Sequence, residues 1–211
     1  MQENRIFDGA MTAVSNIVNL PLVKSYPDFS QAETVIDVGG GEGHFLKTIL
    51  QENPTVKGIL FDREQTINQA REQFQNAGLS ARCTCVSGNF MDEIPGAGSI
   101  YTLKAVLHDW SDEHCIHILR NVRKAARNSA KVLIIDAALS DTDPPLLPIC
   151  YQDLEMLCST GGKVRTVQEF RYLLEQSGFT LERLIPVKRG SAPQTSPRQT
   201  AFHIVEGRVA A

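Results

Sequence analysis

Short apolar runs, four to eight residues long, alternate along this chain with stretches in which apolar residues recur at three- and four-residue spacing. The runs predict strands over Thr34–Val38, Val56–Phe61, Arg82–Ser87, Ser99–Leu103, Lys131–Asp136, Thr180–Val187 and Thr200–Val205. Between them, Leu46, Ile49 and Leu50 share one helical face, as do Ile67, Ala70 and Phe74, with Gly78 as a stop signal. Cys115, Ile118, Leu119 and Val122 form a further stripe. Thr166 and Glu169 make a capping box ahead of Phe170, Leu173 and Leu174, and Gly178 closes that helix.

Strands alternating with helices predict an α/β fold built on a mainly parallel sheet, with helices on both faces. The last two strands have no helix between them. Their link, KRGSAPQTSPR, is polar and rich in Pro, Gly and Ser, which predicts a hairpin and a sheet ending in one antiparallel strand. Phe7–Val23 reads as helix, so the chain divides into an N-terminal helical segment, 1–30, and a main domain, 31–211.

Composition narrows the partners. The 211 residues suit one domain able to bury its own core. A net charge of −3 without a basic stripe argues against nucleic acid. No apolar run is long enough to cross a bilayer, and the N-terminus MQENRIFDG lacks a signal peptide's regions. Five cysteines without a C-x-x-C pair suit a reduced, cytoplasmic chain. His114, Cys115 and His117 form a one-sided cluster without the second ligand pair of a zinc site, so no metal is expected.

The strongest local motif is Val35-Ile36-Asp37-Val38-Gly39-Gly40-Gly41-Glu42-Gly43, a buried strand entering a glycine turn and a helix. Glycines let a ligand approach the backbone, and the helix start offers free N–H groups. A dinucleotide fingerprint would need Gly or Ala at position 44, which is His44. Asp37 before the glycines suits a cationic ligand better than a pyrophosphate. Asp62, ending the second strand, either caps the following helix or accepts from ribose hydroxyls; the glycine loop at this spacing favours ribose. Asn89 and Phe90, after the third strand, are candidates to bond and cover an adenine.

The segments VIDVGGGEGHF, ILFD, GNF, LKAVLHDWSDE, KVLIID and DLEMLCSTGGKVRT occur in this order. Together they resemble the S-adenosylmethionine domain of the small-molecule O-methyltransferases, the family of caffeic-acid, hydroxyindole and bacterial polyketide methyltransferases. The resemblance runs from Phe7 to Val205, and its most specific element is LHDWSDEHCIHIL. It implies a Rossmann-like class I methyltransferase sheet and S-adenosylmethionine as cofactor, with S-adenosylhomocysteine as product. It implies a hydroxylated aromatic or polyketide small molecule as acceptor. Asp37, Gly39, Gly41 and Gly43 match the cofactor loop, Asp62 the ribose acid, Asn89 and Phe90 the adenine pair, and Lys104 a lysine near the cofactor. His108 matches the catalytic base and Asp136 its acidic support, while Met156 matches an acceptor-pocket residue. Trp110 is assigned to the core or to the acceptor pocket, and Asp109 to capping the next helix or aiding cofactor placement.

Three departures stand out. Asn89 replaces the usual Asp, Val164 replaces an acidic residue that is the second partner of the histidine, and the family's N-terminal dimerising domain is not in this sequence. Without that domain the chain is expected to expose an apolar patch near Phe7–Leu22. Two other function classes remain open: a methyltransferase-fold enzyme with non-methylating chemistry, and a non-catalytic domain that binds the cofactor and a partner.

Overall fold

The computed structural model describes residues 18–139, 141, 147–187 and 202–210. Residues 1–17, most of the expected N-terminal helix, lie outside the described residues, as does the link between the last two strands.

Helix α1 covers residues 18–25 and a 3-10 turn covers Pro27–Gln31. Then follow β1 (Thr34–Val38), α2 (His44–Glu52), β2 (Lys57–Asp62), α3 (Glu64–Asn76), β3 (Cys83–Ser87) and β4 (Ile100–Lys104). A 3-10 turn at Leu107–Asp109 leads to α4 (Asp112–Ala125), β5 (Lys131–Leu139) and α5 (Leu147–Ser159). The chain closes with β6 (Arg165–Thr166), α6 (Val167–Glu175), β7 (Phe179–Pro186) and β8 (Phe202–Val209).

The sheet runs β3-β2-β1-β4-β5-β8-β7, with the two-residue β6 pairing alongside the end of β5. All pairs are parallel except β5–β8 and β7–β8. This is the class I methyltransferase fold. The antiparallel strand is the last in sequence, as expected, but it does not end the sheet: β8 inserts between β5 and β7. It also runs on through Glu206, Gly207 and Arg208, polar residues at which the expected strand stops. Glu206 is fully buried yet paired with Lys131 at 3.2 Å and with Arg183, whose Nε donates at 2.6 Å, so its charge is not stranded.

Alternating residues split the core in two. Ile36 and Val38 of β1 face a cluster with Ile118, Leu119 and Val122 of α4 and Phe170, Leu173 and Leu174 of α6. Val35 faces the other cluster, with Leu46, Ile49 and Leu50 of α2, Ile67, Ala70 and Phe74 of α3, and Leu22 and Val23 of α1. Of the stretch expected to expose an apolar patch, Phe7–Leu22, residues 7–17 lie outside the described residues and Leu22 is buried; α5 leaves Leu147, Tyr151, Leu154 and Leu157 exposed. The consequence for function is geometric. Strands β1, β2, β3, β4 and β5 point the same way, so the turns that follow them gather at one sheet edge.

Candidate active site

The β1 turn adopts left-handed backbone at Gly39 (φ 67°), Gly41 (φ 59°) and Gly43 (φ 79°). At Gly39 a side chain would press on Val106 Cγ2 at 3.0 Å and on Phe90 at 3.5 Å, so glycine keeps that wall of the crevice open. Gly43 caps α2 without any side-chain hydrogen bond, which leaves first-turn N–H groups for a ligand.

A cavity of about 310 Å³ opens beside this loop. It is lined by Gly39, Asp62, Asn89, Phe90, Asp109 and Trp110 of the sequence candidates, and also by Arg63, Gly88, Ala105 and Val106. One Asp62 oxygen accepts from Gly41 N–H at 2.8 Å and the other from Arg63 N–H at 2.7 Å. The acid thus ties the glycine loop to the end of β2 and keeps lone pairs for ribose hydroxyls. The side-chain oxygen of Asn89 accepts from Met91 N–H at 3.0 Å, a local turn that holds the exposed amide at the rim. Trp110 packs edge-on to Phe90, centroids 5.8 Å apart, so it stands beside Phe90 in the cavity wall.

Asp37 lies beneath the glycine loop, 1% exposed. One oxygen accepts from the Thr102 hydroxyl at 2.7 Å, while the other has no hydrogen-bond partner. Burial pushes its pKa up to about 6, against the pull of Thr102 and Lys104. Lys104 is held below the usual lysine range by burial, although Asp37 and Asp136 both favour its charge. These residues fit a ligand with a nucleoside at one end and a cationic centre near Asp37: an acid for ribose, an aromatic wall, and a buried carboxylate short of a partner.

His108 sits in the turn after β4, and Asp136 is in β5, the neighbouring strand. The Nδ1···Oδ1 distance is 2.8 Å, and Asp136 is 3% exposed. With the carboxylate ionised, Nδ1–H donates and Nε2 is left to take a proton. Burial opposes the imidazolium, but the bond and charge of Asp136, with help from Asp109, outweigh it and raise the His108 pKa above its ordinary value. Asp109 Oδ1 stands 3.7 Å from His108 Nε2. It does not cap α4: the N-cap is Ser111, whose hydroxyl accepts from His114 N–H. Of the two roles the sequence suggested for Asp109, the cap is thus excluded, and the side chain lines the cavity; its approach to Nε2 depends on the 3-10 turn, which the spacing does not reveal.

Val164 is buried and supplies no carboxylate; its N–H donates to Asp153 at 2.8 Å. Met156 is half-buried on α5. It is not among the residues lining the cavity beside the glycine loop or a second one, about 170 Å³, formed by Leu139, Ile149, Cys150, Asp153, Leu154 and Leu157. The histidine-rich stripe of α4 does not converge. His117 Nε2 meets Met91 O at 2.7 Å, Cys115 is buried with its thiol on Leu107 O, and His114 contacts Ser111. Among the described residues no helix is long and apolar enough to cross a membrane.

A family profile described as an O-methyltransferase domain matches residues 1–180. Phenazine O-methyltransferase PhzM of Lysobacter antibioticus is 39% identical over 189 residues, 90% of this chain and 55% of that protein. The structure of the mitomycin 7-O-methyltransferase MmcR superposes with a TM-score of 0.85 at 34% identity, over 99% of this chain and 58% of that one. That of NcsB1, an O-methyltransferase from neocarzinostatin biosynthesis, gives 0.81 at 30% identity over 96% of this chain and 57% of that one. It was solved with S-adenosyl-L-homocysteine and 1,4-dihydroxy-2-naphthoic acid. The chain thus spans a little over half the length of these relatives.

Proposed function

The chain belongs to the O-methyltransferase domain family, and on that premise we propose that it transfers a methyl group from S-adenosylmethionine to a hydroxyl of a small aromatic or polyketide-type acceptor, with His108 as general base. The observation that carries the reading is the His108–Asp136 pair at 2.8 Å, set at the same sheet edge as the glycine loop and Asp62.

When bound, the cofactor supplies a methyl carbon already activated by its sulfonium. The chain's part is to hold and orient. Asp62 and the Asn89–Phe90 pair engage the nucleoside, and the glycine loop approaches the rest of the ligand closely. Asp37 and Lys104 set the charge beneath it. A phenol with an ordinary pKa near 10 is a weak nucleophile at neutral pH. Taking its proton onto His108 Nε2 as attack begins strengthens it, and Asp136 stabilises the imidazolium that results. Holding the acceptor oxygen in line with the methyl carbon supplies the rest of the acceleration. The NcsB1 complex supports an aromatic diol as a first acceptor to try.

Radiolabelled methyl transfer from S-adenosylmethionine to a panel of phenols and hydroxynaphthoates, 1,4-dihydroxy-2-naphthoate included, tests this. Label in the extracted acceptor is the expected result. Cofactor binding by calorimetry with no label in any acceptor would favour the non-catalytic or non-methylating alternatives instead.

A further inference from the structure

The GGKVRT segment, Gly161 to Thr166, carries in its fifth position a residue that the reaction as described does not use. Arg165 is 0% exposed. Its Nη1 donates to Leu107 O at 2.7 Å and its Nη2 to Trp110 O at 2.6 Å, the carbonyls at the two ends of the turn that carries His108. Its Nε donates to Asp112 Oδ1 at 2.9 Å, so the buried charge is paired. The neighbouring backbone grips the same turn. Lys163 N–H donates to His108 O at 3.0 Å, and a side chain on Gly162 would collide with that carbonyl.

We propose that Arg165, with Gly162 behind it, is a positioning residue for the base: the segment 162–165 clamps the backbone of the His108 turn while Asp136 holds the ring. The inference rests on His108 being the base.

The clamp answers a need in the chain. Strand β4 leaves the sheet through Ala105, a non-glycine residue at φ 55°, a conformation that costs about 1–3 kcal/mol and persists only where its surroundings impose it. The carbonyls of Leu107 and Trp110 are three residues apart, and one planar guanidinium spans them with separate N–H groups. A lysine ammonium at that site is a single point on a flexible stem and cannot hold both ends in one plane. Asp112 fixes the guanidinium in turn. Asp112 is also bound by Lys163 at 3.0 Å, and Lys163 reaches Glu169 of the α6 capping box at 2.7 Å. The turn is thereby anchored to α4 and α6. The Arg165 charge also works against the imidazolium, tempering the rise that Asp136 produces.

The test uses Arg165→Lys, which keeps the charge, and Gly162→Ala, which needs no unusual backbone angle and pushes on the backbone of the turn at the His108 carbonyl and the Asp109 carbonyl carbon. Three quantities are read: the His108 ring titration by NMR, S-adenosylhomocysteine affinity by calorimetry, and kcat and KM with 1,4-dihydroxy-2-naphthoate. The expected result is a kcat lower by about 10²-fold, the cost of misplacing a reacting group by about 1 Å. Cofactor affinity should fall less than kcat does, and the His108 titration should be displaced in both variants. Folded variants with the parent's kcat and the parent's His108 titration overturn the clamp. Failure of the base reading looks different: His108→Gln would keep the parent's rate, and the NMR titration alone would then decide whether the segment holds the ring.

Discussion

Asp37→Asn is the perturbation whose size follows most directly from the structure. Asp37 is 1% exposed, and one of its oxygens has no hydrogen-bond partner. Burial moves its pKa from 3.8 to about 6. A folded pKa above the unfolded one means that the native state holds the proton more tightly. The stability this group gives is therefore full below its unfolded pKa and is lost as pH rises to about 6. Above that window the ionised acid costs about 3 kcal/mol, roughly two pKa units at 1.36 kcal/mol each. Asn keeps an acceptor for the Thr102 hydroxyl and removes the charge. Lys104 loses one of its two carboxylate neighbours in the exchange, so about 3 kcal/mol is a ceiling. Urea denaturation at about pH 4 and about pH 7.5 reads the effect. The variant should match the parent in acid and exceed its stability near neutrality, while binding S-adenosylmethionine more weakly because the cationic ligand has lost its carboxylate. A variant less stable than the parent at the higher pH, or one whose stability falls with pH as the parent's does, would refute the reasoning.

Two further outcomes are expected. Asp62→Ala removes both the Gly41 and Arg63 contacts and should weaken S-adenosylhomocysteine binding by about 10- to 100-fold, the worth of one or two charge-assisted hydrogen bonds; calorimetry showing the parent's affinity would remove Asp62 from the site. Asp136→Asn leaves only the Asp109 charge to favour the imidazolium against burial and the Arg165 charge, so the limb on which activity rises with pH should move to lower pH with a reduced plateau. A pH–rate profile that stays in place or moves upward contradicts that assignment.

Much of the fold was legible because it depends on periodicity. The β1 strand matches its expected bounds, Thr34–Val38, and the Thr166–Glu169 capping box forms as its spacing implies. What periodicity could not show was long-range pairing. The place of β8 between β5 and β7, and its extension through Glu206, depend on Lys131 and Arg183, which are far away in sequence. β6 is too short to leave a pattern. At the site, Gly39, Asp62, Asn89, Phe90 and Trp110 fall on one cavity, and His108 and Asp136 meet. Asp37 and Lys104 lie under the loop, and Met156 lines neither of the two cavities described above. Arg63 and Ala105 escaped notice because neither composition nor spacing distinguishes a residue whose role comes from a left-handed backbone or a tight turn.

The central claim is proton removal by His108 during methyl transfer to oxygen. Its most direct measurement is the rate of labelled methyl transfer from S-adenosylmethionine to a phenolic acceptor as a function of pH, for the parent chain and for His108→Gln. The parent rate should climb as the imidazole, held above its ordinary pKa chiefly by Asp136, loses its proton. In His108→Gln the rate should fall by about 10²–10⁴-fold and that limb should vanish, with S-adenosylhomocysteine affinity nearly intact. A His108→Gln chain that methylates at the parent's rate with the parent's pH profile contradicts the account.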